Sequence, residues 1–143
     1  MQPFKLDAVI KFRKQLEDTA RQNLFTALEE EAEAQAVLIR QQQDLDHLYL
    51  SLQKEKEQGT TAPRLIMLED RMALVKEQVS AASEVIQKAQ IEVESKRKAL
   101  LKTSQDRKVV EKMKEKQNNT YKQHLNKKEI AMLDELAVLF HRK

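Results

Sequence analysis

The sequence predicts an all-α protein, a long antiparallel two-helix coiled-coil hairpin whose second helix is longer and overhangs the first. Three observations support this fold class. The 143 residues include one Gly, two Pro and no Trp, so few turns are available to the chain. Charged residues make up 34% and aromatic residues 4%, which leaves too little apolar bulk for a layered core. Apolar residues recur at alternating steps of three and four, which is coiled-coil spacing.

The first helix is expected over about residues 4–57. Pro3 suits a helix start, because its missing N–H would have no partner there in any case. A heptad template fits from Leu6 onward, and ten of its fourteen seam positions are apolar. These positions are Leu6, Ile10, Arg13, Glu17, Ala20, Leu24, Ala27, Glu31, Ala34, Leu38, Gln41, Leu45, Leu48 and Leu52.

One strong break interrupts the helical pattern, at residues 58–63. Gly59 can adopt the left-handed conformation that ends many helices. Thr60 or Thr61 can cap the next helix, and Pro63 fits its first turn. Because no second break of this kind follows, the sequence predicts a single coiled-coil domain over residues 1–143 with one hairpin turn.

The second helix is expected over about residues 64–141, and its seam changes character along its length. The first nine seam positions are all apolar: Leu65, Leu68, Met72, Val75, Val79, Ala82, Ile86, Ala89 and Val93. Only three of the next nine are apolar: Lys96, Leu100, Thr103, Arg107, Val110, Lys114, Gln117, Tyr121 and His124. The seam is therefore predicted to be dry near the turn and polar toward the open end.

The unequal helix lengths predict an overhang. At a rise of 1.5 Å per residue the helices would measure roughly 80 Å and roughly 115 Å. The start of the first helix then reaches only about residue 117 of the second. The same register places Glu17 near Thr103 and Arg107, where a charge pair would fix the register more than it stabilises the fold. Residues 130–140 are apolar on more than one face and need a partner, because an isolated helix is marginal in water.

Residue types that catalysis or metal binding requires are missing or scattered. The chain has no Cys, and a single Gly excludes a phosphate-binding loop. His47, His124 and His141 are too far apart for a zinc-binding helix. We therefore expect no enzyme activity, no cofactor and no metal. No stretch approaches 18 apolar residues and the start lacks a signal-peptide pattern, so we expect a cytoplasmic protein without membrane insertion.

The charge is unevenly distributed. Residues 96–143 hold 14 Lys/Arg and 6 Asp/Glu, which gives +8, whereas the remainder holds 12 and 17, which gives −5. The basic stretch is compatible with a solvated helix face, with docking on an acidic protein surface, or with a nucleic-acid-binding arm. Nucleic-acid binding is the least favoured, because single-strand binding usually needs interleaved aromatic residues and only Tyr121 offers one.

The apolar tail from Leu133 to Phe140 has two interpretations. It either packs on its own chain or is buried against another molecule, and the overhang favours intermolecular burial. The second molecule could be another copy of this chain, which would make the protein a self-associating structural coiled coil. The polar seam at the open end is either ordinary irregularity or a region kept loose so that it can fit inside a ring.

The two ends of the chain resemble the flagellar export protein FliJ family, and the resemblance spans nearly the whole chain. The first matching stretch is residues 4–17, Phe-Lys-Leu-Asp-Ala-Val-Ile-Lys-Phe-Arg-Lys-Gln-Leu-Glu. The second is residues 106–116, Asp-Arg-Lys-Val-Val-Glu-Lys-Met-Lys-Glu-Lys, followed by Tyr121. The most telling part is Lys-Lys-Glu at 127–129 followed by Leu-Asp-Glu-Leu-Ala at 133–137.

This resemblance implies a soluble component of the flagellar type III protein export apparatus. FliJ-like proteins form a stalk-like coiled coil that binds and activates a hexameric export ATPase, FliI, and couples it to the cytoplasmic domain of the export gate, FlhA. Export chaperones are a third class of partner under consideration. The implied location is cytoplasmic and peripheral to the inner membrane. The chain is also similar to the YscO-type stalks of virulence type III secretion systems, which would have different partners.

The matching positions suggest contact residues. The ATPase contact is assigned to Phe4, Leu6, Phe12, Arg13, Lys128, Glu129, Asp134, Glu135 and Leu136. In this family the gate contact lies early in the second helix, so Arg71, Val75 and Gln78 are the candidates, although no motif is matched there.

Overall fold

The computed structural model describes residues 3–141, and side chains from Lys5 onward. Helix α1 runs from Pro3 to Gln58 and helix α2 from Ala62 to His141, and no strand occurs within this range. The two helices pack against each other in an antiparallel hairpin. Helix α2 has 80 residues and is longer than α1, which has 56. The predicted fold class is confirmed.

A short turn around Gly59 joins the helices. Gly59 has a φ of 85°, the left-handed conformation that was predicted for it. A Cβ at this position would meet nothing within 4 Å, so the backbone conformation rather than the space favours glycine. On the far side the Leu65 amide donates to the Thr61 carbonyl at 3.1 Å and closes the first turn of α2. Glu55 accepts hydrogen bonds from the Thr60 hydroxyl and from Arg64 across the turn.

The heptad seam accounts for the burial pattern along both helices. All fourteen seam positions of α1 are buried or half-buried, as are the sixteen of α2 from Leu65 to Gln117. The next two, Tyr121 and His124, are exposed. Burial at these steps is what a coiled coil requires, because each seam side chain inserts between residues of the facing helix. It confirms the register and the prediction that α1 covers α2 to about residue 117.

Contacts divide the chain into two compact units. The turn unit comprises Arg21–Ala99. Its buried side chains are all apolar and come from both helices: Ala27, Ala34, Leu68, Met72, Val75, Ala82, Ile86 and Val93. The buried residues of α1 in this unit are small alanines, which lets the two helices approach closely. The expectation of one single domain stays a prediction.

The terminal unit comprises Met1–Ala20 and Leu100–Lys143. Its buried residues all come from α1, namely Leu6, Ile10, Glu17 and Ala20. In the described part of this unit, α2 contributes only half-buried or exposed side chains. The seam of this unit is therefore mostly apolar on α1, apart from Arg13 and Glu17, and largely polar on α2, as the sequence predicted for the open end.

Candidate partner-binding surfaces

A charge network lies in the seam of the terminal unit. The Glu17 side chain is 7% exposed although it is acidic. Arg107 donates through Nε to Glu17 and through Nη1 to Glu111 at 2.9 Å. The hydrogen bond to Glu17, and then the one to Glu111, raise the pKa of Arg107 above its ordinary value, so the guanidinium stays charged. The predicted pair of Glu17 with Arg107 is confirmed, and Thr103 instead donates to the Leu100 carbonyl at 2.9 Å.

Two further ion pairs join the helices in this unit. Arg13 lies 3.6 Å from Asp106, and Lys114 contacts Asp7. All four side chains of these pairs are at least one third exposed, so each pair contributes little, about 0–1 kcal/mol. The Arg13 Nε is buried without a hydrogen-bond partner among the described residues. The pairs fix which residues of α1 and α2 face each other rather than adding much stability.

Beyond residue 117 helix α2 continues without α1 beside it. We refer to residues 118–141 as the overhang, and every one of them is exposed. Nine large apolar side chains are among them: Tyr121, Leu125, Ile130, Met132, Leu133, Leu136, Val138, Leu139 and Phe140. Exposed apolar surface on this scale, confined to one helix end, is typical of a protein-binding surface.

Five of these side chains line one face of the overhang. We call Tyr121, Leu125, Met132, Leu136 and Leu139 the apolar stripe. Their spacing of 4, 7, 4 and 3 residues keeps them within a narrow sector of a 3.6-residue helix. The stripe continues the face that α1 covers up to Gln117. The overhang therefore presents an uncovered seam, which is suited to a helix or groove on another molecule.

The proposed ATPase-contact residues do not form one patch. Leu6 is 3% exposed and belongs to the core of the terminal unit, whereas Phe12 is 56% exposed. Arg13 is engaged with Asp106, and the side chain of Phe4 lies outside the described residues. The other five lie on the overhang and are exposed: Lys128, Glu129, Asp134, Glu135 and Leu136. By helix rise, Lys128 lies roughly 16 Å and Leu136 roughly 28 Å beyond the end of the α1 cover.

The three proposed gate-contact residues do come together, in the turn unit. Arg71, Val75 and Gln78 line one groove between the two helices. Val75 is buried and forms part of the floor, so only the other two are available at its rim. Asp44 and His47 of α1 line the same groove.

Sequence reasoning missed two parts of these surfaces. Leu125 was not identified, because the heptad template passes from Tyr121 to His124 and the stripe shifts by one residue there. The signal was present as two successive steps of four, from Gln117 to Tyr121 and from Tyr121 to Leu125. Asp44 and His47 were missed because the heptad spacing does not fix the direction of side chains that lie beside the seam.

Two kinds of site find no support within residues 3–141. No cluster of three His, Asp or Glu side chains in this range is arranged to hold a metal ion. Neither described helix has a segment with both the length and the low charge needed to span a bilayer.

Comparison with protein families gives one match. The family described as "Flagellar FliJ protein" matches residues 1–143. The chain belongs to the FliJ family. Comparison with curated proteins and with solved structures gave no significant match.

Family membership confirms the resemblance found at the two ends of the sequence. FliJ proteins are components of the flagellar export system, so the chain has an export-related role and works with the export machinery in general. The match is to a flagellar family, which favours the flagellar interpretation over a virulence-secretion stalk.

Proposed function

We propose that this protein is a stalk of the flagellar type III export apparatus that binds and activates the hexameric FliI-like export ATPase. In this proposal it also couples the ATPase to the cytoplasmic domain of the FlhA-like export gate. The observation that carries the proposal is the apolar stripe, an uncovered seam on a helix end in a member of an export family.

The stripe is large enough to anchor a partner but not to bind one alone. Burying one such side chain fully contributes about 1.5–3 kcal/mol, so five contribute about 8–15 kcal/mol before costs. Association itself costs an estimated 4–15 kcal/mol in lost freedom, which is of similar size. Polar contacts must therefore add affinity. Lys128, Glu129 and Glu135 flank the stripe on exposed positions, and Asp134 is exposed on the opposite side of α2.

The charges in the seam of the terminal unit suit a region that works inside a ring. Hydrophobic seams resist adjustment because they are closely packed, whereas half-exposed ion pairs can be exchanged at small cost. The basic flanks around Lys112 and Lys116 would complement acidic loops of an ATPase pore. Where α1 and α2 pack together in this unit, Phe12 is exposed and would be the apolar side chain that contacts the ATPase.

Coupling to the gate is assigned to the groove in the turn unit. Arg71 and Gln78 at its rim supply charged and amide hydrogen-bond donors. This surface and the overhang lie on different units, so the two partners would not compete for the same residues. Contact with a gate protein would place the chain in the cytoplasm, peripheral to the inner membrane. Export chaperones are further candidate partners.

The ATPase proposal is tested by titrating the cognate export ATPase with this protein and measuring ATP hydrolysis. The full chain is expected to stimulate the rate. A chain ending before Ile130, which lacks three stripe residues, is expected to lose most of that stimulation. The double variant Met132→Ser/Leu136→Ser should behave like the truncation, because it removes two of the five anchors without shortening the helix.

The matched control is Met67→Ser/Leu74→Ser, which replaces the same residue types at exposed positions of the turn unit. Circular dichroism checks that both variants stay helical. Stimulation lost with the overhang variants and kept with the control supports the proposal. Equal stimulation by all four chains, or none by the full chain, contradicts it.

A further inference from the structure

Over residues 101–130, one face of α2 carries only lysine among charged residues, and Asp134 lies on the same face two turns beyond Lys127. Successive residues of a helix are turned by about 100°, which places five lysines within one third of the circumference. We call Lys102, Lys108, Lys112, Lys116 and Lys127 the lysine face, and all five are exposed. They extend over roughly 38 Å. Lys112 and Lys116 border one shallow groove with Asn119 and Gln123, so this part of the face is one continuous surface.

The acidic residues of the same stretch are placed elsewhere. Asp106 pairs with Arg13 of α1, and Glu111 pairs with Arg107. Glu115 borders the face at its edge, beside Lys112 and Lys116. Within residues 3–141 none of the five lysines forms an ion pair, so their charge is directed to solvent. Among residues 100–117, the ion-paired side chains therefore lie toward α1 and the lysine face points away from it.

The uncharged members of this face are apolar or polar. Leu101, Val109 and Ile130 lie on the same face as the lysines and are each more than half exposed. The face contains no Arg and no aromatic residue, which are the side chains that anchor most protein interfaces. Lysine instead supplies a mobile point charge on a long apolar stem, which suits a fluid array of anions rather than fixed carboxylates.

We propose that the lysine face binds an anionic lipid surface. Helical surfaces with four to eight basic residues are attracted to anionic headgroups, and the interleaved Leu, Val and Ile can enter the interfacial layer. A planar bilayer offers phosphates along the whole straight row. The phosphates of a nucleic-acid duplex wind away from such a row, and single strands need stacking aromatics that this face lacks.

Lipid contact would leave the partner-binding surface free. The lysine face and the apolar stripe lie on opposite sides of α2, because their mean directions differ by about half a turn. The chain could therefore rest on a membrane while its stripe points away from it. Lys112 and Lys116 are also the basic flanks that would meet acidic loops of an ATPase pore, so the lipid test is made without the ATPase, and its failure is distinguishable from a failure of the ATPase proposal.

The test is flotation of the full chain with vesicles. We compare vesicles of phosphatidylcholine that contain roughly one third phosphatidylglycerol with vesicles of pure phosphatidylcholine, at low and at moderate salt. Binding is expected only to the anionic vesicles, and it should weaken as salt rises. Lys102→Gln/Lys112→Gln/Lys116→Gln is expected to bind on the order of a hundredfold more weakly.

The matched control is Lys5→Gln/Lys11→Gln/Lys14→Gln, which removes the same charge from exposed positions of α1 in the same unit. It should bind anionic vesicles nearly as well as the unaltered chain. If both variants lose the same amount of vesicle binding, then net charge alone explains the binding and the proposal is wrong. The absence of binding at low salt would also overturn it. Duplex DNA and polyglutamate serve as competing probes, and tighter face-dependent binding of either one would also overturn it.

Discussion

The turn unit and the terminal unit use the same heptad geometry for different purposes. In the turn unit eight side chains are buried and all are apolar. In the terminal unit four are buried, one of these is Glu17, and the facing part of α2 supplies charged and polar partners. Apolar burial is strong but non-directional, whereas ion pairs are weak but specific. The comparison teaches that the turn unit supplies most of the stability of the hairpin, whereas the ion pairs of the terminal unit specify its register.

This division has a consequence for how each unit opens. Local opening is easiest where few apolar contacts are lost and most backbone is near solvent. The terminal unit meets that description, since its α2 segment contributes no buried side chain among the described residues. The end that would meet a partner is thus the end that can adjust at the smallest cost.

The largest expected effect is the loss of an apolar seam residue in the turn unit. Leu68→Ala should lower the free energy of unfolding by about 2–5 kcal/mol, because Leu68 is buried and its removal leaves a cavity. Exposed Leu74→Ala is the matched control and should change it by less than about 0.5 kcal/mol. Urea denaturation followed by circular dichroism measures both.

The same experiment with Ile10→Ala tests whether the two units really differ. Ile10 is as buried as Leu68, but its unit can open locally, which limits what the substitution can cost. A smaller effect than that of Leu68→Ala agrees with the comparison. An equal or larger effect would mean that the hairpin is uniformly stable and that the comparison is wrong.

A smaller effect is expected from the buried pair in the terminal unit. Glu17→Leu and Arg107→Leu alone should each lower the thermal midpoint, because each leaves a charge in a half-closed seam. Together they should bring it back near the original value, since well-packed apolar residues replace buried ion pairs at little cost. A double-mutant cycle measures the coupling.

The exposed pair of Glu92 with Lys96, 3.4 Å apart, is the control for that cycle. Its coupling free energy should be about 0.3–0.5 kcal/mol, which is typical of surface pairs on one helix. If the seam pair shows no more coupling than this surface pair, then Glu17 and Arg107 do not specify the register.

The smallest expected effect is that of salt. Raising NaCl from about 50 mM to about 500 mM should accelerate amide hydrogen exchange in residues 5–20 by up to about fivefold, because it screens the half-exposed pairs of Arg13 with Asp106 and Lys114 with Asp7. Residues 27–45, which face an apolar seam, should be unaffected. Mass spectrometry of peptides resolves the two regions, and equal acceleration in both would argue against the division.

Most of the fold could be predicted because few alternatives satisfy the sequence. A single glycine break left one place for a turn, and the 3–4 spacing fixed which residues face the other helix. The register then followed from counting outward from Gly59, which is why the pairing of Glu17 with Arg107 was predicted. The exposure of Tyr121 follows from the same count, since α1 has no residue left to cover it.

The candidate surfaces could be predicted only in part. Asp106 was not matched with Arg13, because residues beside the seam reach partners through long side chains whose direction the spacing does not fix. Leu6 was assigned to a partner contact although it is buried. In the sequence, an apolar residue at a helix end has the same pattern whether it packs in the seam or contacts a partner. Whether such a residue is buried depends on the facing helix, so the spacing of residues along one helix does not predict it.

The overhang has a further consequence for the kinetics of recognition. Starting a new helical turn is unfavourable by roughly a factor of a thousand, whereas extending an existing helix is close to neutral. Residues 118–141 extend a helix that pairing with α1 has already nucleated. A binding molecule therefore meets a segment whose backbone is largely preorganised, and the conformational entropy lost in the encounter is smaller than for a free peptide of the same sequence.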